Sequence, residues 1–295
     1  MTLRAGDATT TVVVGTATGL HRVGGGVGGG PVVAREPVTA IDGEWVVTGG
    51  HTLWRGTERV ADLDGPAATC VLATADGVFV GTEEAHLLRF VDGVVEQVVS
   101  FDEAEGRDRW YTPWGGPPDV RSLSAGDDGS IYVNVHVGGI LRSTDGGRAW
   151  HPTIDVDSDV HQVVAADGVV FEATAYGLAR STDGGANWEF LTDGLHATYS
   201  RAVTVAGSAV LVSASRGPGG QDSAVYRLAD GGFERCRDGL PEWFAGNVDT
   251  ACLAACDQTV AVGTGDGSVF LSTDGGDRWD RVADGLGRVT CLTVG

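Results

Sequence analysis

Arg121, His161 and Arg201 stand at one position of three successive apolar runs, where Thr69, Ala251 and Thr290 stand in three others. Two guanidiniums and an imidazole gathered at one place suit a carboxylate or phosphate, gripped through paired N–H donors. Asp249 precedes Ala251 by two residues, so it projects to the same side of its run. Tyr199 stands in the same relation to Arg201. His136 adds a second imidazole, suited to proton transfer. Glu172 interrupts an apolar run beginning at Val169, and a carboxyl buried there must find a partner or have its pKa raised. The candidate proton carriers are therefore His136, His161, Glu172 and Asp249. The candidate ligand contacts are Trp110, Tyr111, Trp114, Asp119, Arg121, Tyr199, Arg201 and Asn247. Trp110, Tyr111 and Trp114 belong to a stretch that proline and glycine make stiff, and their rings suit a sugar face. Each residue also has a plainer role. The arginines can pair with Asp119, Glu172 or Asp249 to hold neighbouring units together, and the tryptophans can fill gaps in the packing.

What must position these residues is a repeat. The pattern S-T-D-G-G-x-x-W occurs at Ser143–Trp150, Ser181–Trp188 and Ser272–Trp279. Each copy lies between two apolar runs, as a turn between strands does. Its Asp accepts backbone N–H bonds, its glycines permit positive φ, and its Trp fills a gap beside the next unit. A second turn recurs as Asp42-Gly43, Asp76-Gly77, Asp128-Gly129 and Asp167-Gly168, the hairpin dipeptide. Asp145 to Asp183 is 38 residues, and Asp230 to Asp274 is 44. Four strands in roughly 40–50 residues make one propeller blade.

Units fall at 38–65, 68–102, 120–155, 160–195, 200–240 and 250–286. The orphan strand near the C-terminus, within 287–295, resembles the first strand of other units and completes a seventh with residues 1–35. The expectation is an all-β, seven-bladed β-propeller of four-stranded antiparallel blades forming one domain over 1–295, its first blade closed by the C-terminal strand. Closure in this manner leaves no open sheet edge. Innermost strands line the axis, so Arg121, His161 and Arg201 should converge at one mouth.

Composition narrows the partners. The net charge is −20 and every basic residue is Arg. Such a surface repels nucleic acid and anionic membranes. Salt adaptation and a GC-rich genome both account for the missing lysine, whose absence excludes Schiff-base and Walker-type phosphate chemistry. No apolar run is long enough for a membrane helix. Five cysteines without zinc spacing, and no leader-like start, suggest a cytoplasmic protein. Cys70, Cys252 and Cys291 share one strand position and read as small buried residues. Asp155-x-Asp157-x-Asp159 imitates the start of a calcium loop, but Val160 and Ala166 replace its glycine and final acid. Gly24–Gly30 lacks the lysine of a phosphate loop. No cofactor and no metal is implied.

The boxes resemble the Asp-box (BNR) repeats of the sialidase-like propeller superfamily. That group includes sialidases, xyloglucan-degrading glycosidases, sortilin-type receptors and a photosystem II assembly factor. The resemblance implies that the box lies opposite the binding face, so Ser143, Asp145, Trp150 and their equivalents are structural. It does not carry over the sialidase site. The F/Y-R-I-P motif is matched only in Arg and Pro by Ala34-Arg35-Glu36-Pro37, and sialidases usually have six blades. The expected function is an axial pocket for a small anionic or carbohydrate-like ligand, with glycoside hydrolase or lyase chemistry as its enzymatic form. The alternatives are a non-catalytic scaffold that binds a protein partner on the same face, and a metal-dependent propeller with His136 and His161 as ligands.

Overall fold

Seven antiparallel sheets stand around one axis in the computed structural model, which describes residues 10–24 and 36–295. Residues 1–9 and 25–35 lie outside the described residues, and with them Ala34, Arg35 and most of the glycine run. Six sheets have four strands. The seventh joins the C-terminal strand Val289–Val294 to Thr11–Thr16 and then Gly19–Gly24, three strands among the described residues. Thr11 and Gly295 exchange backbone hydrogen bonds at 3.0 Å in both directions, which ties the strand Thr11–Thr16 to the C-terminal strand. The ring is therefore the seven-bladed propeller that the repeat predicts, and the closing blade is counted here as the first.

Position within a blade decides what each strand can contain. A second strand is enclosed by its own sheet and by both neighbouring blades. Ile131–His136 is accordingly buried at every residue. Outer strands face solvent on one side, and Glu58–Asp62 is partly or fully exposed throughout. Asp167 and Gly168 have φ of 51° and 74°, the paired positive values that let a two-residue turn follow the strand twist.

The box turn is built around two short side chains. The Ser143 hydroxyl donates to Asp145 Oδ1 at 2.8 Å and accepts the Gly147 N–H at 2.9 Å. Asp145 Oδ1 also accepts the N–H groups of Arg148 and Ala149. The same bonds recur at Ser181–Asp183 and Ser272–Asp274. At Asp183 the Asn187 side chain and backbone, with the Ser181 hydroxyl, hold the carboxyl down to about 2. Each box Trp packs onto a second strand of the preceding blade. Trp150 shares a core with Phe79, Trp188 lies against the cluster of Tyr132, and Trp279 shares a core with Leu211.

The innermost strands share one irregularity. The ladder slips between Val38 and Ala40, Ala68 and Cys70, Val120 and Ser122, Val160 and Gln162, and Cys291 and Val289. The skipped residues are Thr39, Thr69, Arg121, His161 and Thr290. A bulge re-aims one side chain at the rim of a sheet. Here five sheets use it at the same height. Just beyond the bulge, Cys291 is enclosed and Cys70 partly buried, and desolvation pushes both thiols up to about 12, so they pack rather than react.

Candidate functional site

Two concentric rings surround the mouth of the channel. The bulge residues Thr39, Thr69, Arg121, His161 and Thr290 form the inner one, with Arg201 and Ala251 at the corresponding places of the sixth and seventh blades. The residues two places earlier form the outer one, among them Asp119, Asp159, Tyr199, Asp249 and Arg288. Three inner residues latch one blade to the next through a single kind of bond. Thr69 donates to the Val120 carbonyl, Thr290 to the Val38 carbonyl at 2.6 Å, and His161 Nδ1 to the Ser200 carbonyl at 2.6 Å. Arg121 and Arg201 do not repeat this latch.

The two arginines differ. Arg201 is held by Asp249 at 2.6 Å and donates to the Tyr199 hydroxyl at 3.3 Å. Burial lowers its pKa, but Tyr199 and Asp249 outweigh that and raise it. Asp249 also pairs with Arg288 at 2.9 Å, so its carboxylate is occupied on both oxygens. Arg121 has no hydrogen bond or ion pair among the described residues. Burial, and then repulsion from Arg201, lowers its pKa against the attraction of Tyr199, Asp119 and Asp159. It lines a cavity of about 260 Å³ with Asp119, Arg201, Asp249, Arg288 and the inner-ring threonines. A larger groove of about 650 Å³ lies at the outer edge between the fifth and sixth blades. Its arginine, Arg180, is already paired with Glu189. It gathers no unpaired cation, which leaves the axial mouth as the candidate site.

Beside Arg121 the aromatic and imidazole rings form a file. Trp114 stacks on His136 at 5.4 Å, His136 on His161 at 5.4 Å, and His161 meets Tyr199 at 4.9 Å. His136 ends the second strand of the fourth blade, and His161 sits on the innermost strand of the fifth. Between them lies Asp159, whose Oδ1 is 2.8 Å from His136 Nε2 and 3.3 Å from His161 Nε2. His136, Asp159 and His161 are the group of three potential metal ligands that the described residues bring together. Burial pushes His161 toward the neutral form despite Asp159. Burial would raise the Asp159 pKa, but contacts with His136 and then His161 hold it below the ordinary range. His161 is fully enclosed, so we assign the neutral imidazole with its proton on Nδ1.

Sequence reasoning placed Asp159 only in the calcium-like run. The signal that would have found it was available: Asp119, Asp159 and Asp249 each stand two places before an inner-ring residue. The calcium-like start itself is an Asx turn, in which Asp155 Oδ1 accepts the Asp157 N–H at 3.0 Å.

Three expected site residues are not brought to the mouth. Glu172 is 0 % exposed in the interior of the fifth blade, opposite Val163 and Ala179, and neither carboxyl oxygen has a hydrogen-bond partner. It is neither at the mouth nor paired with an Arg. Trp110 packs on Phe101 at 5.5 Å beneath the Arg107 guanidinium, as part of a core and not as a pocket wall. Asn247 donates its side-chain amide to the Gly217 and Pro218 carbonyls, which ties down a neighbouring loop. Tyr111 is half exposed beside Asp157 and Tyr176 at the rim.

The fold has solved counterparts. The propeller of a nidogen/laminin complex superposes with a TM-score of 0.59 at 10 % identity, covering 97 % of this chain and 98 % of that one. The GH74 xyloglucanase of Xanthomonas campestris gives 0.58 at 14 % identity, and the Niastella koreensis GH74 enzyme 0.60 at 12 %. This chain spans 91 % of itself and 46 % of each of those enzymes. At such identities the likeness shows the propeller, shared by binding proteins and glycosidases alike. No protein-family profile and no curated protein matches the chain. Among the described residues no helix is long and apolar enough to cross a membrane.

Proposed function

We propose that the axial mouth binds a small molecule carrying a carboxylate or comparable oxyanion, with a sugar acid as the best-fitting class. The observation that supports this is Arg121, a largely desolvated guanidinium that lines a cavity and has no partner among the described residues. A cation held beside a second cation costs free energy unless an anion completes the site. Arg201 is committed to Asp249, so it shapes the wall and adds field. Trp114, 70 % exposed, offers a ring face to the rest of the ligand. A glycosidase pair built on Glu172 does not form, because Glu172 is sealed within its sheet. Of the other mouth carboxylates, Asp249 is paired with two arginines and Asp159 lies against two histidines, which leaves Asp119 without an ion pair among the described residues, and a single carboxyl is not the pair that glycoside hydrolysis needs. The reading is therefore one of binding.

The test is thermal unfolding in EDTA with D-glucuronate as probe and glucose as its neutral control. Glucuronate at about 100 times its Kd should stabilise the wild type by about 2.7 kcal/mol. Arg121→Gln should remove that shift while its ligand-free melting temperature stays close to wild type. An equal shift in Arg121→Gln, or an equal response to glucose, would overturn the proposal. A second reading, a protein partner on the same face, is favoured by one observation: Tyr111, Trp114 and Tyr176 are all exposed there.

A further inference from the structure

We infer that His136, Asp159 and His161 form a binding site for one borderline divalent transition metal, of the class of Zn²⁺ or Co²⁺, at the wall of the mouth. The inference goes beyond anion binding and stands on different residues. Three features carry it.

The first is spacing. Ligands about 2.0–2.1 Å from a shared ion stand roughly 2.8–3.0 Å apart at octahedral angles and about 3.3–3.4 Å apart at tetrahedral ones. Asp159 Oδ1 stands 2.8 and 3.3 Å from the two Nε2 atoms, and all three ligand atoms lie within 4.8 Å of one another.

The second is alignment. These contacts are short, yet His161 Nε2 and Asp159 Oδ1, both buried atoms, have no hydrogen-bond partner. His161 is itself 0 % exposed. Neither atom therefore has a partner in the alignment that a hydrogen bond requires, although the three side chains crowd together. A buried polar atom without a partner needs an explanation, and an ion shared by the three side chains supplies one.

The third is tautomer. The latch to the Ser200 carbonyl places the His161 proton on Nδ1. That leaves Nε2 as a lone-pair donor, the arrangement by which an outer hydrogen bond orients a metal-bound histidine. At Thr69 and Thr290 the same latch only joins blades. At His161 it joins blades and presents a ligand.

Donor type sets the metal class. Two imidazoles and one carboxylate suit Zn²⁺, Co²⁺, Fe²⁺ or Ni²⁺, whereas Ca²⁺ and Mg²⁺ prefer oxygen. Three protein ligands leave positions open on the ion, as in catalytic sites and not structural ones. Asp159 and His161 are near enough to Arg121 for each to act on the other's charge.

The experiment uses the full chain, stripped with EDTA, then loaded with Zn²⁺ or Co²⁺ and desalted in a buffer free of carboxylates. Elemental analysis should find one ion per chain, and Co²⁺ should give visible d–d absorption. Asp159→Asn and His136→Gln should each weaken binding by roughly 100-fold or more. His151→Gln, at an exposed surface histidine, should keep the ion. Circular dichroism and melting of each metal-free variant establish that the ring is folded, and if one variant does not fold the other decides. Substoichiometric metal in the wild type, or full retention in a folded Asp159→Asn or His136→Gln, would overturn the site. Loss of the ion in His151→Gln would do the same. Because no carboxylate is present, failure here leaves the anion-binding reading to its own test.

Discussion

Glu172→Met is expected to make this protein more stable, and increasingly so as the pH rises from 5 to 8. Glu172 is fully enclosed, its neighbours in register are Val163 and Ala179, and both of its oxygens lack partners. Val133 fills the corresponding place in the preceding blade. Burial raises the Glu172 pKa well above its ordinary value. The folded chain therefore holds a proton there that the unfolded chain releases near pH 4.3. Stability falls wherever the folded state binds more protons than the unfolded one. The loss begins above about pH 4.3, grows through the folded pKa, and then levels off. Each unit of upward displacement costs about 1.4 kcal/mol at the plateau. The unpaired carboxyl adds about 1–3 kcal/mol at any pH. Methionine has similar volume and no polar atom to satisfy. A gain of roughly 3 kcal/mol at pH 8 corresponds to about 5 °C in melting temperature for a chain of 295 residues. Calorimetry of both proteins at pH 5, 6, 7 and 8 measures it. A gain that does not change with pH would show that Glu172 finds a charge partner in solution, and a loss would show that it is needed for packing.

The same residue marks where sequence reading stops. A lone carboxyl inside an apolar run is visible in the sequence, and so is the demand that it pair or protonate. Whether a partner arrives depends on the blade packed against it, which no local pattern encodes. Trp110 and Trp114 make the point again. They share one loop and one composition, yet Trp110 is drawn into a core by Phe101 and Arg107 while Trp114 stands exposed over His136. Phe101 belongs to a four-residue helical turn, Val99–Asp102, that interrupts the repeat. The ring, by contrast, was legible because it is built from recurring local signals: dipeptide turns, box turns and strand alternation. The shared strand position of Arg121, His161 and Arg201 was legible for the same reason, although the cavity there is lined by the two arginines and not by His161. Aligning equivalent strands found the bulge position without knowledge that a bulge was there. Thr39 completes that ring and escaped the alignment. Asp159 was read along the chain with Asp155 and Asp157, when its meaning came from across the repeats, beside Asp119 and Asp249.

Trp279→Ala is expected to be the most damaging of the three box substitutions. The three tryptophans occupy one position of one motif, so propensity cannot rank them; burial and bonding can. Trp279 is 2 % exposed, inside a core with Leu211, Phe270 and Val260. Its indole N–H donates to the Gly276 carbonyl at 2.9 Å, and its backbone N–H to the Asp238 carbonyl at 2.9 Å. The second bond joins the chain leaving the sixth blade to the box of the seventh. Trp150 is nearly as buried, but its indole N–H has no partner. Part of what its packing contributes is offset by that unmet donor. Trp188 is only half buried, though its N–H reaches the Thr153 and Gly185 carbonyls. Truncating a buried Trp costs about 3–5 kcal/mol, through lost transfer free energy and the cavity left behind. Trp279→Ala should fall at the upper end of that range, Trp150→Ala lower, and Trp188→Ala near 2 kcal/mol or less, within the span of ordinary substitutions. Urea midpoints followed by circular dichroism rank the three. In a closed ring each blade is held by two neighbours, so opening one inter-blade seam exposes two apolar faces at once. If the seam is what the box Trp secures, Trp279→Ala will lower the midpoint for the whole ring in a single transition. An early transition confined to part of the signal, or a cost no greater than that of Trp188→Ala, would mean that the blades hold together through their inner strands and latches, with the box serving only to turn the chain.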